Sequence, residues 1–277
     1  MVRPSPLQRG LVLVGIVLFV IWNAAPLLWL LVSSLMQQQA LIVSPPDFSL
    51  ASFTFANYIE VFGAAAPLGR GLFNSMIVAF STTALAILLG APAAYALARL
   101  PVPGRDPLLL MVLAAQMFPA VVVAIPLFIA ASRFGLIDSK VSLILVYLTF
   151  NLPIVIWVLR GYFLGIPKGL ERAARMDGAS TWQTFRLIVL PMSLPALFAA
   201  SVFAFIESWN EFFFALILMR QESLTVPLAI SAFAGQYQVL FGQMMAASAI
   251  SIAPVVVLAV LLRRTILSGF ADGMLKG

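Results

Sequence analysis

Apolar runs long enough to cross a bilayer recur along the chain, broken by short stretches in which most of the charge is gathered. A helix needs roughly 20 mainly apolar residues to span the hydrocarbon core. That rule places six spans near 11–35, 71–97, 107–131, 139–163, 191–219 and 246–267. The first run, with Arg3 and Arg9 ahead of it, resembles a signal peptide. It is too long for one and lacks a small-residue cleavage pattern, so it is read as a retained helix. Pro26, Pro92, Pro119, Pro126, Pro153 and Pro254 lie inside spans, where neighbouring helices can satisfy the backbone groups that proline frees. They are expected to kink the helices without breaking them.

The connections are unequal. Residues 36–69 and 220–245 are longer than turns require, and each carries aromatic residues suited to an interface or an external contact. The first is expected to form short interfacial helices, the second a re-entrant or surface loop around Thr225-Val226-Pro227 and Gly235-Gln236-Tyr237. Residues 165–190 have their own helical pattern. Leu170 to Met176 suits a helix, with Ala173 and Ala174 as a low-relief face. Asp177-Gly178 breaks it, and Ser180 or Thr181 can cap a second helix through Trp182, Phe185 and Ile188. Two short helices lying across the membrane face follow, and a connection of this size points to a protein that grips it.

Composition agrees with an integral membrane protein: 62% of the 277 residues are hydrophobic and only 9% charged, with a mean hydropathy of +1.07. Cys and His are both absent, which excludes disulfides, thiolate metal sites and His-dependent hydrolysis. The net charge of +6 sits mostly beside apolar runs, so membrane orientation accounts for it without nucleic acid. With the N-terminus in the cytoplasm, all but Arg70, Arg133, Lys140 and Arg220 of the 16 Lys and Arg fall on the inner side. The even span count returns the C-terminus there, beside Arg263-Arg264, and puts the 165–190 loop in the cytoplasm.

The string ERAARMDGA at 171–179, followed by Ile188-Val189-Leu190-Pro191, resembles the signature loop of the membrane subunits of ATP-binding-cassette (ABC) importers. Leu72-Phe73-Asn74-Ser75, the run Ala94 to Leu100, Trp209-Asn210-Glu211-Phe212 and the ending Gly269 to Gly277 are similar to the smaller, MalG-type permease of carbohydrate importers. The likeness covers nearly the whole chain. It implies an all-α, six-helix type I (MetI-like) permease fold. Residues 1–68 would form an N-terminal helix and external segment, 69–264 the transmembrane domain with its coupling loop, and 265–277 a cytoplasmic tail that either frays or reaches the ATPase interface. It also implies a bacterial or archaeal plasma membrane, a second, MalF-like permease, two cytoplasmic ATPase subunits holding ATP and Mg, an external substrate-binding protein or lipoprotein, and a sugar as cargo. Glu171, Arg172, Ala173, Ala174, Asp177, Gly178 and Ala179 would couple to the ATPase. Arg172 stands where the family usually carries the Glu of Glu-Ala-Ala, which leaves Glu171 as the acid for that contact. The chain itself holds no G-x-x-x-x-G-K-[ST] phosphate loop, so no cofactor is assigned to it and the energy source is sought in another polypeptide.

Ionisable groups inside spans are costly and mark pathways or interhelical pairs. Glu207 and Glu211 are four residues apart with Asn210 near the same face, and both roles stay open. Asn74, Gln116 and Asn151 are further candidates for the path. A secondary transporter working through Glu207 and Glu211 is the alternative of another class; it leaves the 165–190 loop unexplained, and no repeat between the halves supports it. A permease for another small solute remains the alternative within the same class.

Overall fold

A computed structural model describes residues 6–63, 66–220, 222–235 and 238–274; for Pro6, Ala115 and 261–274 it describes the backbone alone. The expectations on Arg3, Gln236-Tyr237, Lys276 and the last residues of the tail fall outside the described residues. The helices are α1 (Pro6–Ser34), α2 (Gln38–Ile42), α3 (Ala56–Glu60), α4 (Leu68–Arg99), α5 (Arg105–Gln116), α6 (Ala120–Arg133), α7 (Lys140–Gly165) and α8 (Lys168–Met176). They continue with α9 (Thr181–Thr184), α10 (Leu190–Met192), α11 (Leu194–Asn210), α12 (Phe213–Leu218), α13 (Val226–Ser231) and α14 (Phe241–Met274). A π-helical turn, Phe185–Val189, joins α9 to α10.

Among the described residues four helices are long and apolar enough to cross a membrane: α1, α4, α7 and the described part of α14. The other two expected spans are interrupted. The 107–131 run stops at Gln116 and resumes at Ala120, because Pro119 takes an extended N-cap conformation and disfavours helix at Phe118 before it. Pro119 therefore breaks its span, whereas Pro26, Pro92, Pro126, Pro153 and Pro254 lie within continuous helices. The 191–219 run bends at Ser193, where Thr181–Met192 meets Leu194–Asn210 at 77°; counted as one span, this pair makes five. The run ends at Asn210, and Glu211 is extended. The Glu211 carboxylate accepts hydrogen bonds from Phe214 N at 2.9 Å and Ala215 N at 3.3 Å, starting α12 as a separate piece. At the C-terminal end the backbone runs helical through Met274, where the sequence predicts a separate tail.

Contacts divide the chain into two units, residues 1–69 with 229–253 and residues 70–228 with 254–277. The first contains α1 and the short helices expected for 36–69. Buried Asn57 donates to the carbonyls of Ser34 and Met36, at 2.9 Å each. Gly242 faces it so closely that a Cβ would lie 2.6 Å from the Asn57 amide nitrogen.

In the second unit α7 packs against α11, α5 and α12. The face of α4 that joins this core is nearly all small, with Ala86, Ala91, Ala94 and Ala98 against Val155, Leu159 and Phe163 of α7. Small residues let backbones approach closely where lipid offers no hydrophobic drive for association. A second cluster joins α6, α7 and α12 through Ala124, Leu143, Tyr147, Phe214 and Leu218.

The loop between α6 and α7 is pinned by Asp138, at φ 57°, whose carboxylate accepts from the backbone N–H of Arg220, Glu222 and Ser223. Partial burial pushes this carboxyl up, but the three backbone donors and the Arg220 charge outweigh it and hold it below the usual carboxylate range. Because the folded-state value is lowered, the stabilisation is present above the ordinary Asp range, about 4, and is lost as pH falls through it toward the lowered value. Asp138→Ala is expected to speed amide hydrogen exchange at Arg220, Glu222 and Ser223 several-fold at neutral pH. Acidification of the wild type should approach the same loose state, and unchanged exchange in the variant would refute the role.

Candidate functional site

The loop after α7 carries the first group of candidates. Helix α8 ends at Asp177, and Gly178 turns the chain at φ 84°, a region that L side chains rarely adopt. Ser180 then starts the next helix through a capping box: its hydroxyl accepts from Gln183 N at 3.2 Å, while Gln183 Oε1 accepts from Ser180 N at 2.8 Å. The expected helix, Asp-Gly turn and second helix are present, the second continuing through the π turn to Met192.

Helix α8 has two faces. Arg172, Ala173, Arg175 and Met176 are exposed, as are Asp177 and Gly178; Ala179 is half-buried and Ala174 buried. Glu171 is buried as well, and it does not point outward as an acid replacing the one displaced by Arg172. Its Oε1 lies 3.0 Å from Arg99 Nε in an ion pair with both side chains under one-tenth exposed. Its Oε2 accepts from the Tyr95 hydroxyl at 3.2 Å. A buried carboxylate needs a charge partner, and α4 supplies it from its last turn. The Arg99 guanidinium also donates to the carbonyls of Phe163 and Ile166 at the end of α7. Tyr95 lies against Phe185 with ring centroids 4.9 Å apart, and Trp182 follows at 5.4 Å from Phe185. Three elements are thus tied behind the exposed face of α8: α4, the end of α7 and the π turn. Tyr95 and Arg99 stand in the Ala94–Leu100 motif; a charge that closes an apolar run was the signal for their role.

The second group meets at a cavity of about 260 Å³ whose lining includes Gln116, Asn151, Glu207 and Glu211. Asn74 and Asn210 do not join them. Asn74 is buried elsewhere, donating to the carbonyls of Glu222 and Leu224 at 2.9 and 3.0 Å, so its amide ties α4 to that segment. Asn210 is exposed at the end of α11. Ala120, Tyr147, Ile154 and the stacked pair Phe150 and Phe214 complete the lining without having been singled out in the sequence. The spacing 147, 151, 154 is one helical face of α7 and would have found two of them. Among the described residues no group of three or more His, Cys, Asp or Glu could hold a metal ion.

The profile of the family described as "Binding-protein-dependent transport system inner membrane component" matches residues 86–269. The trehalose/maltose transport system permease protein MalG of Thermococcus litoralis is 35% identical over 280 residues, covering 99% of each chain. The trehalose transport system permease protein SugB of Mycobacterium tuberculosis is 36% identical, covering 91% of this chain and 92% of its own. Among solved structures, a chain of a bacterial ABC transporter that imports the acidic polysaccharide alginate superposes with a TM-score of 0.79 at 22% identity, covering 95% of this chain and 99% of that one. That likeness concerns the fold, which is mainly helical and of the type I importer permease kind. On the family match and the near full-length relatives, this chain belongs to the inner membrane components of binding-protein-dependent transport systems.

Proposed function

We propose that the chain is the permease subunit lining half of the translocation path of an ATP-driven sugar importer. Its two relatives above are named as permeases of trehalose or maltose transport, which supports a sugar as cargo. In this reading the 165–190 loop and both termini lie in the cytoplasm of a bacterial or archaeal cell, as the distribution of Lys and Arg favours. A second, MalF-like permease completes the path, two ATPase subunits bind ATP and Mg and hydrolyse the nucleotide, and an external binding protein delivers the sugar. Alternating access follows when closure of the ATPase pair drives the docked loops together.

The observation that carries the reading is helix α8, which exposes Arg172, Ala173, Arg175 and Met176 while its other face is fixed to α4 through Glu171 and Arg99. A force applied to the exposed face passes to the spans through that anchor, so docking rests on shape and on the basic pair Arg172 and Arg175 rather than on an outward acid.

The cysteine-free sequence permits a direct test. Ala173→Cys, exposed on α8, is expected to crosslink to a cysteine placed in the ATPase subunit of the assembled transporter, with a yield that changes between nucleotide-free and ATP-bound states. No crosslink from single cysteines along 170–182, with uptake that needs a proton gradient instead of ATP, would overturn the reading in favour of a secondary transporter.

A further inference from the structure

The cavity beside α7 and α11 is unbalanced in charge and in hydrogen bonding. Glu207 and Glu211 line it, and no Lys or Arg among the described residues does. Asn151, 4% exposed, uses its amide nitrogen on the Tyr147 carbonyl at 2.9 Å and the Ser208 hydroxyl at 3.2 Å, which leaves Oδ1 buried without a hydrogen-bond partner among the described residues. The Tyr147 hydroxyl, on a residue 2% exposed, interacts with the Glu211 carboxylate. Gln116 has its amide nitrogen engaged with the Phe150 carbonyl at 2.7 Å. Buried polar atoms in folded proteins are nearly always partnered, so the unpaired Asn151 Oδ1 at this cavity points to a ligand or its water. The remaining capacity is mainly acceptor capacity: the Glu207 carboxylate, the Glu211 lone pairs not taken by Phe214 N and Ala215 N, and the Asn151 amide oxygen.

From this we infer that the cavity is a subsite for an uncharged polyhydroxylated ligand and a filter against anionic sugars. Hydroxyl groups are donors and satisfy an acceptor-rich lining. A uronate, phosphate or sulfonate brings further acceptors together with a negative charge that Glu207 and Glu211 repel, and no Lys or Arg among the described lining residues offsets that repulsion. The stacked Phe150 and Phe214 add apolar surface for the C–H faces of a sugar ring. The assignment of a sugar rests on the permease reading; the charge filter does not.

The test uses the assembled transporter in lipid nanodiscs, with the only cysteine of this chain introduced as Ile154→Cys or, as a second reporter, Ala120→Cys. Both positions line the cavity. A cationic methanethiosulfonate is expected to modify the thiol about tenfold faster than its anionic counterpart of similar size. Glu207→Gln should reduce that ratio several-fold. Equal rates at both reporters, or a ratio untouched by Glu207→Gln, would overturn the filter. With a neutral methanethiosulfonate, millimolar trehalose or maltose should slow modification, while maltobionate, which carries a carboxylate, should not. Protection by the acid, or by none of the neutral sugars, would overturn the subsite. A transporter that fails to couple ATP still yields the rate ratio, so loss of the permease reading and loss of the filter are told apart.

Discussion

Replacing Glu171 with alanine is expected to destabilise the protein by about 3–5 kcal/mol, the range for removing one member of a buried ion pair. The cost arises on the side that remains. Arg99 would keep its charge with a side chain only 3% exposed, and its Nη1 is already buried without a hydrogen-bond partner among the described residues. The Tyr95 hydroxyl would lose its acceptor as well. Thermal unfolding in detergent should register the loss as a clear fall in midpoint, and the crosslink yield from Ala173→Cys should fall with it, because α8 loses its tie to α4. A double variant, Glu171→Met with Arg99→Met, removes both charges and is expected to recover part of the stability, since apolar residues of similar volume often replace a buried pair at little cost. If Glu171→Ala melts like the wild type, or if the double variant costs the sum of the two single changes, the buried pair is not the anchor.

The features that were legible in the sequence are local ones. The end of α8, the turn at Gly178 and the cap at Ser180 each depend on residues within one turn of one another, so residue type and spacing sufficed. The break at Pro119 is equally local, but the sequence alone predicts only a kink, because proline in a membrane span has two outcomes and neighbouring helices decide between them. Pairings across long separations stayed hidden. Asn74 is occupied by carbonyls about 150 residues away, and without that knowledge a polar residue in a span looks like part of a path. Glu171 presented the converse problem, since helical periodicity cannot tell whether an isolated acid faces a second protein or an arginine from another helix of the same chain. Glu207 and Glu211 reach one cavity although the helix they were expected to share ends between them. Their sequence spacing led to the right neighbourhood by way of a helix that stops at Asn210.

Substitution at Gly90 should have the other large effect, on packing instead of charge. A Cβ built at this position lies 2.7 Å from Val155 Cγ1 and 3.5 Å from Leu152 Cδ1, so even alanine forces α4 and α7 apart or moves a fully buried valine. Overpacking of this kind costs about 1–3 kcal/mol, and Gly90→Leu should exceed that range because the added atoms have no room along the Ala86–Ala91–Ala94 face. The consequence reaches the loop, since α4 carries Tyr95 little more than one turn and Arg99 about two and a half turns farther on, and a displaced α4 misplaces the anchor of Glu171. Compensation distinguishes this account from a general loss of fold. Val155→Ala removes the clashing methyl groups; alone it should destabilise by leaving a void, but with Gly90→Ala it should restore melting midpoint and monodispersity in detergent toward the wild type. Additive losses in the double variant, or a Gly90→Ala protein that melts like the wild type, would show that α4 and α7 do not depend on this contact.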